Sequence, residues 1–155
     1  MTQVDQIENN ALTNQPLWLA NFVSVYQQLN RNNLATLNDI YHRKITFIDP
    51  IQQIEGITDL THYFEHLYQN LLFCRFDIDD VLLDNNKAAI YWTMSYQHKK
   101  LNANNTVYVQ GSSLIKMLDG KVIYHRDYVD LGAMLYEQIP LVGKVIKAIK
   151  ARASQ

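Results

Sequence analysis

The chain has little cysteine, glycine or net charge, and each shortage excludes a class of protein. Its one cysteine, Cys74, excludes an internal disulfide framework and a cysteine-rich zinc module. A net charge of −1 provides no basic field, so no nucleic-acid partner is expected. The five glycines are scattered and form no phosphate-binding loop, and no cofactor is predicted.

Long apolar runs and a leader are also missing. No stretch approaches the roughly 18 apolar residues of a transmembrane helix, and the first residues lack the basic and then apolar pattern of a secretory signal. A cytoplasmic protein is therefore expected. The 155 residues, of which 48% are hydrophobic and 19% charged, are enough for one folded domain and too few for two.

Three helices are predicted in the first half of the chain. Residues 1–15 are polar and are expected to form a flexible arm, after which a helix begins near Pro16. Tyr26 lies at the edge of the apolar stripe of that helix. The stripes are Trp18, Phe22, Val25 and Leu29 in the first helix, Leu34, Leu37, Ile40 and Tyr41 in a short second helix, and Leu60, Phe64, Leu67 and Leu71 in a third over roughly 58–71.

The second half is predicted to be mostly β. The strands are expected at 45–48, 74–83, 87–98, 106–117 and 121–130, separated by turn sequences. A last helix follows Gly132, and Pro140 should kink or split it. Helices that precede a run of long strands indicate an α+β fold with a curved antiparallel sheet. The predicted domain covers 16–140, and 141–155 form a basic amphipathic helix.

Alternation along two strands predicts which side chains share a face. In strand 87–98, both faces are apolar, so both are expected to be covered, which favours a homodimer. One of these faces holds Ala88, Ile90, Trp92, Met94 and Tyr96. In strand 121–130, His125 and Asp127 lie between Ile123 and Val129 on the inward face, where buried polar groups need partners.

Two further patterns have an ordinary structural interpretation. His62-Tyr-Phe-Glu-His66 matches a zinc-protease pattern, but both histidines lie opposite the apolar stripe of their helix, so no metal site is predicted. The basic run 141–152 could touch a membrane surface. A helix docked through Val142, Val145, Ile146 and Ile149 with solvated lysines is the preferred interpretation.

Three segments together resemble the nuclear transport factor 2-like superfamily, and in particular its SnoaL-like branch. These are NLATLNDIY after the first helix, ITFIDP at 45–50 with Gly56 beyond it, and DGKVIYHRDYVD at 119–130. The last segment is similar to the end of limonene-epoxide hydrolase, a member of the branch with SnoaL-type polyketide cyclases and ketosteroid isomerases. The resemblance covers roughly 18–140. It implies a cone: a strongly bent antiparallel or mixed sheet wrapped around three helices, with a deep pocket. It also implies frequent dimers through the outer sheet face, which suits the Ile90, Trp92 and Met94 row.

The resemblance implies four catalytic candidates. Asp49 matches the general base of ketosteroid isomerase, and Tyr26 matches its oxyanion tyrosine. Asp127 matches the aspartate that activates water in limonene-epoxide hydrolase. His125 replaces an aromatic residue and is expected to point into the pocket.

Other positions imply ligand contacts and departures from the family. Ser113 stands where ketosteroid isomerase has its second oxyanion donor, and Thr93 and Ser95 stand where limonene-epoxide hydrolase has its acidic pair. Phe47 and Val129 are predicted to line the same apolar pocket. The chain thus holds parts of several sites and the whole of none.

The residues leave three functions open. Asp49 or Asp127 could move a proton or activate water on a small apolar molecule. The same pocket could bind a ligand without converting it, or the domain could serve association alone. In the simplest structural alternative, His125 bonds to Asp127 and Asp49 caps the loop before the third helix.

Overall fold

The computed structural model describes residues 15–153, so the predicted arm at 1–15 lies almost entirely outside the described part of the chain. Within these residues, five α-helices and six strands follow one another, with short 3-10 turns between some of them. The helices are α1 (Leu17–Gln28), α2 (Leu37–Ile40), α3 (Ile57–Asn70), α4 (Leu131–Met134) and α5 (Pro140–Ala153). The strands are β1 (Tyr41–Ile48), β2 (Gln53–Glu55), β3 (Leu71–Asp84), β4 (Lys87–His98), β5 (Val107–Leu118) and β6 (Lys121–Val129).

The strands form one mixed sheet in the order β2-β1-β6-β5-β4-β3. Among the described strands, only β1 and β6 pair in parallel, and every other pair of neighbours is antiparallel. Register shifts between Ile78 and Asp80 and between Lys116 and Met117 mark bulges, which increase the local bend of a sheet. The predicted α+β fold with a bent, mixed sheet around helices is confirmed.

The buried face of α1 is rotated from the predicted stripe. Leu19, Phe22 and Tyr26 are buried, whereas Trp18 and Val25 are only half-buried. A stripe at steps of three and four fixes a helix face only to within one residue, and the bulk of Tyr26 fills the space over the sheet. Tyr26, expected at the edge, is therefore a core residue.

The two following segments also differ in detail from the prediction. Tyr41 begins β1 rather than ending the second helix, and it is 1% exposed. In α3, Leu60, Phe64 and Tyr68 are buried, while Leu67 is 39% exposed. Both segments thus bury a tyrosine, and in α3 Tyr68 takes the buried place expected for Leu67.

The faces of β4 are the reverse of those expected for an interface. Ile90 and Trp92 point inward to the helices, in what we call the inner face, and Tyr91 and Thr93 point to the outer face. Trp92 pairs with Gly111, where a Cβ atom would clash with the indole ring. Because Gly111 has no side chain, the indole ring can lie against its backbone on the inner face. The prediction that Ile90, Trp92 and Met94 form a dimer contact is wrong, because that row packs within the domain.

The C-terminal segment splits before Pro140, as predicted, and α5 begins at that proline. The expected docking of α5 is wrong, because Val142, Val145 and Ile149 are exposed. The helix contacts the domain through Gly143, which lies against the backbone of Glu137, and through Lys150, which pairs with Glu137. Within 15–153, no helix is long and apolar enough to cross a membrane.

Candidate functional site

A mostly apolar cavity of about 280 Å³ lies between the inner face of the sheet and the helices. Its walls come from α1, α3 and four strands, and the segment around α4 closes one side. Two carboxylates, Asp49 and Asp127, are part of the lining. Concave, apolar sites with a few convergent polar groups are typical small-molecule sites in proteins.

Asp127 is held from two sides by hydrogen bonds to the same oxygen. Its Oδ1 lies 2.7 Å from Nε2 of His125 and accepts from the Ser113 hydroxyl at 2.5 Å. Ser113 in turn accepts from the indole N–H of Trp92 at 2.8 Å. Because an indole N–H can only donate, the Ser113 proton is left for Asp127. Asp127 lines the cavity, and its second oxygen, Oδ2, has no hydrogen bond from the described residues.

Behind Asp127, the polar contacts continue into the core. His125 is fully buried, and its Nδ1 lies 2.5 Å from the Tyr41 hydroxyl, which lies 2.8 Å from the Tyr26 hydroxyl. Burial raises the pKa of Tyr26 well above its ordinary value, and Tyr41 and the charge on Asp127 raise it further. Burial also raises the pKa of Tyr41, against a lowering by the hydrogen bond to Tyr26. Both tyrosines therefore keep their protons at neutral pH.

These contacts fit one consistent direction of donation. With Asp127 ionised, Nε2–H of His125 donates to Oδ1, and a neutral ring leaves Nδ1 as an acceptor. We assign this tautomer, in which Tyr41 donates to Nδ1 and Tyr26 donates to Tyr41. We call the run Tyr26, Tyr41, His125 and Asp127 the buried relay. Every proton in it then points towards Asp127.

Asp49 lies at the end of β1 and holds the loop that follows. Its Oδ1 accepts from the backbone N–H of Ile51 at 2.7 Å and of Gln52 at 2.9 Å, and its Oδ2 accepts from the Tyr63 hydroxyl. This is the turn-capping arrangement that aspartate commonly makes before a proline. Burial raises the pKa of Tyr63, followed by the hydrogen bond to Asp49 and the charges of Asp49 and Asp127. Tyr63 thus lies within the electrostatic reach of both carboxylates.

The structure brings most of the predicted site residues together. Five of them line the cavity: Tyr26, Phe47, Asp49, Asp127 and Val129. His125 and Ser113 lie directly behind the cavity, each in contact with Asp127.

Two predicted ligand contacts lie elsewhere. Thr93 is on the outer face, where its hydroxyl donates to Asp79 at 2.8 Å, and Ser95 shares that face. Neither is part of the cavity lining, because Trp92, which precedes Thr93, and Met94, which lies between Thr93 and Ser95, point inward. Alternation along a strand then sends Thr93 and Ser95 to the opposite face.

Three side chains of the site were missed from the sequence. Tyr41 was assigned to an apolar helix stripe, Tyr63 was not singled out, and Trp92 was assigned to the outer face. A usable indication was Gly111, which is opposite Trp92 in the hairpin register. Tyr63 is three residues after Leu60 on the buried side of α3, a spacing that places it at the edge of the core.

The remaining polar groups form no second reaction centre of comparable kind. His62 and His66 are exposed and border a more open groove of about 340 Å³ with Glu55 and Asp59. Within 15–153, no group of three or more histidine, cysteine or acidic side chains is placed to hold a metal ion. Cys74 lines the main cavity, where burial raises the pKa of its thiol to about 12, so it is not a nucleophile at neutral pH.

Comparison with known families agrees with this geometry. The family model described as a SnoaL-like domain matches residues 22–125, which include the later part of α1, all of α3 and most of the sheet. The chain belongs to the SnoaL-like family. A search of curated proteins finds no match for this SnoaL-like chain.

Solved structures share the fold at low sequence identity. A proposed SnoaL-like polyketide cyclase from Jannaschia sp. CCS1 is 14% identical, with a TM-score of 0.69 over 79% of this chain and 93% of that protein. A second one, from Shewanella putrefaciens CN-32, is 16% identical, with a TM-score of 0.68 over 83% and 99%. A hypothetical protein from Catenulispora acidiphila DSM 44928, with a ketosteroid isomerase-like fold and in complex with trimethylamine, is 15% identical, with a TM-score of 0.67 over 81% and 93%. At such identities, the likeness establishes the fold alone.

Proposed function

We propose that this SnoaL-like protein binds a small, mainly apolar molecule in the cavity and that Asp127 accepts a proton there. The reaction class is proton transfer of the isomerase or cyclase kind. The observation that carries the proposal is the setting of Asp127 in the cavity lining, where its Oδ1 is fixed by His125 and Ser113 while its Oδ2 has no hydrogen bond from the described residues.

The setting of Asp127 favours a base. A carboxylate in a largely apolar cavity has little water around it, and fixed donors behind it hold its orientation before a ligand arrives. The second oxygen is the one that can take a proton from a C–H group. It can equally take one from a bound water, so the proposal includes water activation as a variant of the same step.

The buried relay supports this step as a group of positioning residues. His125 donates to the oxygen of Asp127 that does not react and fixes the carboxylate plane. Tyr41, behind it, fixes the tautomer of His125. Because the single proton of Tyr26 points to Tyr41, Tyr26 ends the relay rather than donating to a ligand oxyanion.

Asp49 has a different part in this proposal. Its two oxygens already accept three hydrogen bonds, from two backbone N–H groups and from Tyr63. A carboxylate so occupied is a weaker proton acceptor than one with a free oxygen. Asp49 is therefore a positioning residue, which holds Tyr63 and the loop at the cavity wall.

A second candidate function is binding without conversion. The observation that favours it is how few accessible donors the inner lining offers: Tyr63 donates to Asp49, Tyr96 to the carbonyl of Met134 and Trp92 to Ser113. The Tyr68 hydroxyl has no hydrogen-bond partner but almost no accessible surface. An enolate formed in such a cavity would receive little stabilisation of its charge.

A base-promoted elimination separates the two functions without knowledge of the natural substrate. Nitrobenzisoxazole loses one C–H proton to a base while its N–O bond breaks, and the product is a coloured cyanonitrophenolate. We expect turnover by the wild-type protein, its loss in Asp127→Asn, and its retention in the matched control Asp79→Asn on the outer face. Binding of the probe with equal rates for wild type and Asp127→Asn would overturn the proton-transfer role and leave the binding function.

We also propose a homodimer through the outer face. Tyr91, Tyr108 and Tyr128 are exposed there, at 44%, 71% and 49%, and exposed aromatic side chains are enriched at protein interfaces. Sedimentation should give a dimer for wild type and a monomer for Tyr108→Asp. A monomeric wild-type protein, or a dimer that survives this change, contradicts the proposed interface.

A further inference from the structure

The charged side chains of the described cavity lining are acidic. Asp49 and Asp127 are both part of it, and the described lining contains no lysine or arginine. Two histidines lie at the rim: His66 is exposed, and the pKa of His98 is lowered by burial and by Lys100 and Lys99. His98 is therefore uncharged at neutral pH. A ligand in the cavity meets negative charge from two carboxylates and little to oppose it.

The walls of the cavity are aromatic. Rings from both the helices and the sheet take part, and neighbouring rings lie nearly perpendicular, such as Phe76 with Trp92 at 5.4 Å and 81° and with Tyr26 at 5.6 Å and 70°. Phe64 and Tyr68 are stacked at 24°, so the rings of the walls are turned in different directions. Ring faces carry partial negative charge and attract cations.

The same cavity is poorly equipped for an anion or a carbonyl. Three donors around it, on Tyr63, Tyr96 and Trp92, already donate within the protein. The hydroxyl of Tyr68 has no hydrogen-bond partner, but it has almost no accessible surface. Polar ligand groups that need donors would be left unsatisfied on entry, which is unfavourable in an apolar site.

We propose that the ligand of this cavity is an organic cation of the alkylammonium class, with its positive group in the field of Asp49 and Asp127 and its apolar body against the aromatic walls. This inference rests on the proposed function, since it places the ligand in the same cavity. It adds the charge of the ligand, which the fold leaves open.

The physical basis is the neutralisation of the Asp49 and Asp127 carboxylates, which line one largely apolar cavity. Like charges that share a low-dielectric cavity repel each other, and a bound cation removes that repulsion while it gains a direct partner. A neutral ligand of the same shape gains only the apolar contact. The difference between the two affinities therefore measures the electrostatic part alone.

A matched pair of ligands tests the inference. (Para-hydroxyphenyl)trimethylammonium and para-tert-butylphenol have the same shape and the same hydroxyl group and differ by one positive charge. Binding is measured by calorimetry on the full chain at neutral pH and low salt. We expect the cation to bind at least about tenfold more tightly, the scale of one charge-assisted contact.

Variants then assign the effect to Asp127. Asp127→Asn should weaken the cation about tenfold and leave the phenol unchanged, while Asp79→Asn should change neither. The wild-type pair is informative even if Asp127→Asn does not fold. Equal or tighter binding of the phenol overturns the cationic class and leaves the proposed function intact. Binding of neither ligand shows a closed cavity and overturns both.

Discussion

Two aspartates on opposite faces of the sheet have similar local chemistry and very different surroundings. On the inner face, Asp127 accepts from the Ser113 hydroxyl, and on the outer face Asp79 accepts from the Thr93 hydroxyl. Asp127 contacts His125 as the last member of the buried relay, and it lines an apolar cavity. Asp79 is instead exposed on the surface of the domain. The same hydroxyl–carboxylate pair is therefore a site component in one place and a surface contact in the other.

The comparison shows that environment decides the role of the pair. A hydrogen bond on the surface competes with water and contributes little, while a buried one must satisfy groups that have no alternative partner. Inner-face changes should consequently have large effects and outer-face changes small ones. The predictions below move from the largest expected difference to the smallest.

Loss of His125 should be the most damaging change to the relay. His125→Leu removes the partner of both Tyr41 and Asp127, and we expect the free energy of unfolding to fall by about 2–4 kcal/mol. Thr93→Val, which breaks the outer-face pair, should lower it by less than about 0.5 kcal/mol. Urea denaturation of both variants measures the contrast. Equal losses contradict the difference between the faces.

Gly111→Ala tests whether the place of Trp92 depends on space. The added Cβ would clash with the indole ring, so the expected loss is about 1–3 kcal/mol of unfolding free energy. Ser112→Ala, one residue along and on the outer face, is the control and should change it by less than about 0.5 kcal/mol. If Gly111→Ala is as stable as the control in thermal unfolding, the proposed cause of the inward ring fails.

Trp92→Phe tests the hydrogen bond behind Ser113. The ring stays aromatic while its N–H is lost, and the expected loss is about 1 kcal/mol. Tyr91→Phe on the outer face is the matched aromatic control. A loss for Tyr91→Phe as large as that for Trp92→Phe, in the same denaturant titration, would mean that the Ser113 contact contributes nothing special.

The smallest effect concerns pH at the cavity rim. Burial and the nearby lysines lower the pKa of His98 in the folded state, so the unfolded chain binds the proton more readily. The contribution of His98 to stability is present above its ordinary pKa and is lost as the pH falls through that range. His98→Asn should flatten the fall in unfolding free energy between about pH 7 and about pH 5. An unchanged slope contradicts this origin.

Much of the fold could be predicted from local pattern. Period-two alternation and turn sequences located the long strands, and Pro140 split the last helix where its missing N–H requires. These features depend on near neighbours in the chain. The inward placement of His125 and Asp127 follows from the same alternation and from the apolar residues on either side of them.

The rest depends on contacts between distant segments. The indole ring of Trp92 on β4 needs the space left by Gly111 on the next strand, and the partner of His125 is Tyr41, 84 positions away. A single sequence shows neither the register nor the distance between them. The exposure of Val142, Val145 and Ile149 on α5 likewise follows from where that helix ends up, and its amphipathic pattern alone does not determine it.

The central claim is that the protons of the buried relay all point towards Oδ1 of Asp127. The other oxygen, Oδ2, has no partner among the described residues and is the one proposed to meet a ligand. Long-range proton–nitrogen correlation NMR of His125 at neutral pH measures the proton positions directly, with the His125→Leu spectrum identifying its signals. We predict a neutral ring with a proton on Nε2 and a bare Nδ1. A proton on Nδ1, alone or together with one on Nε2, would reverse the Tyr41 and Tyr26 hydrogen bonds and contradict the account.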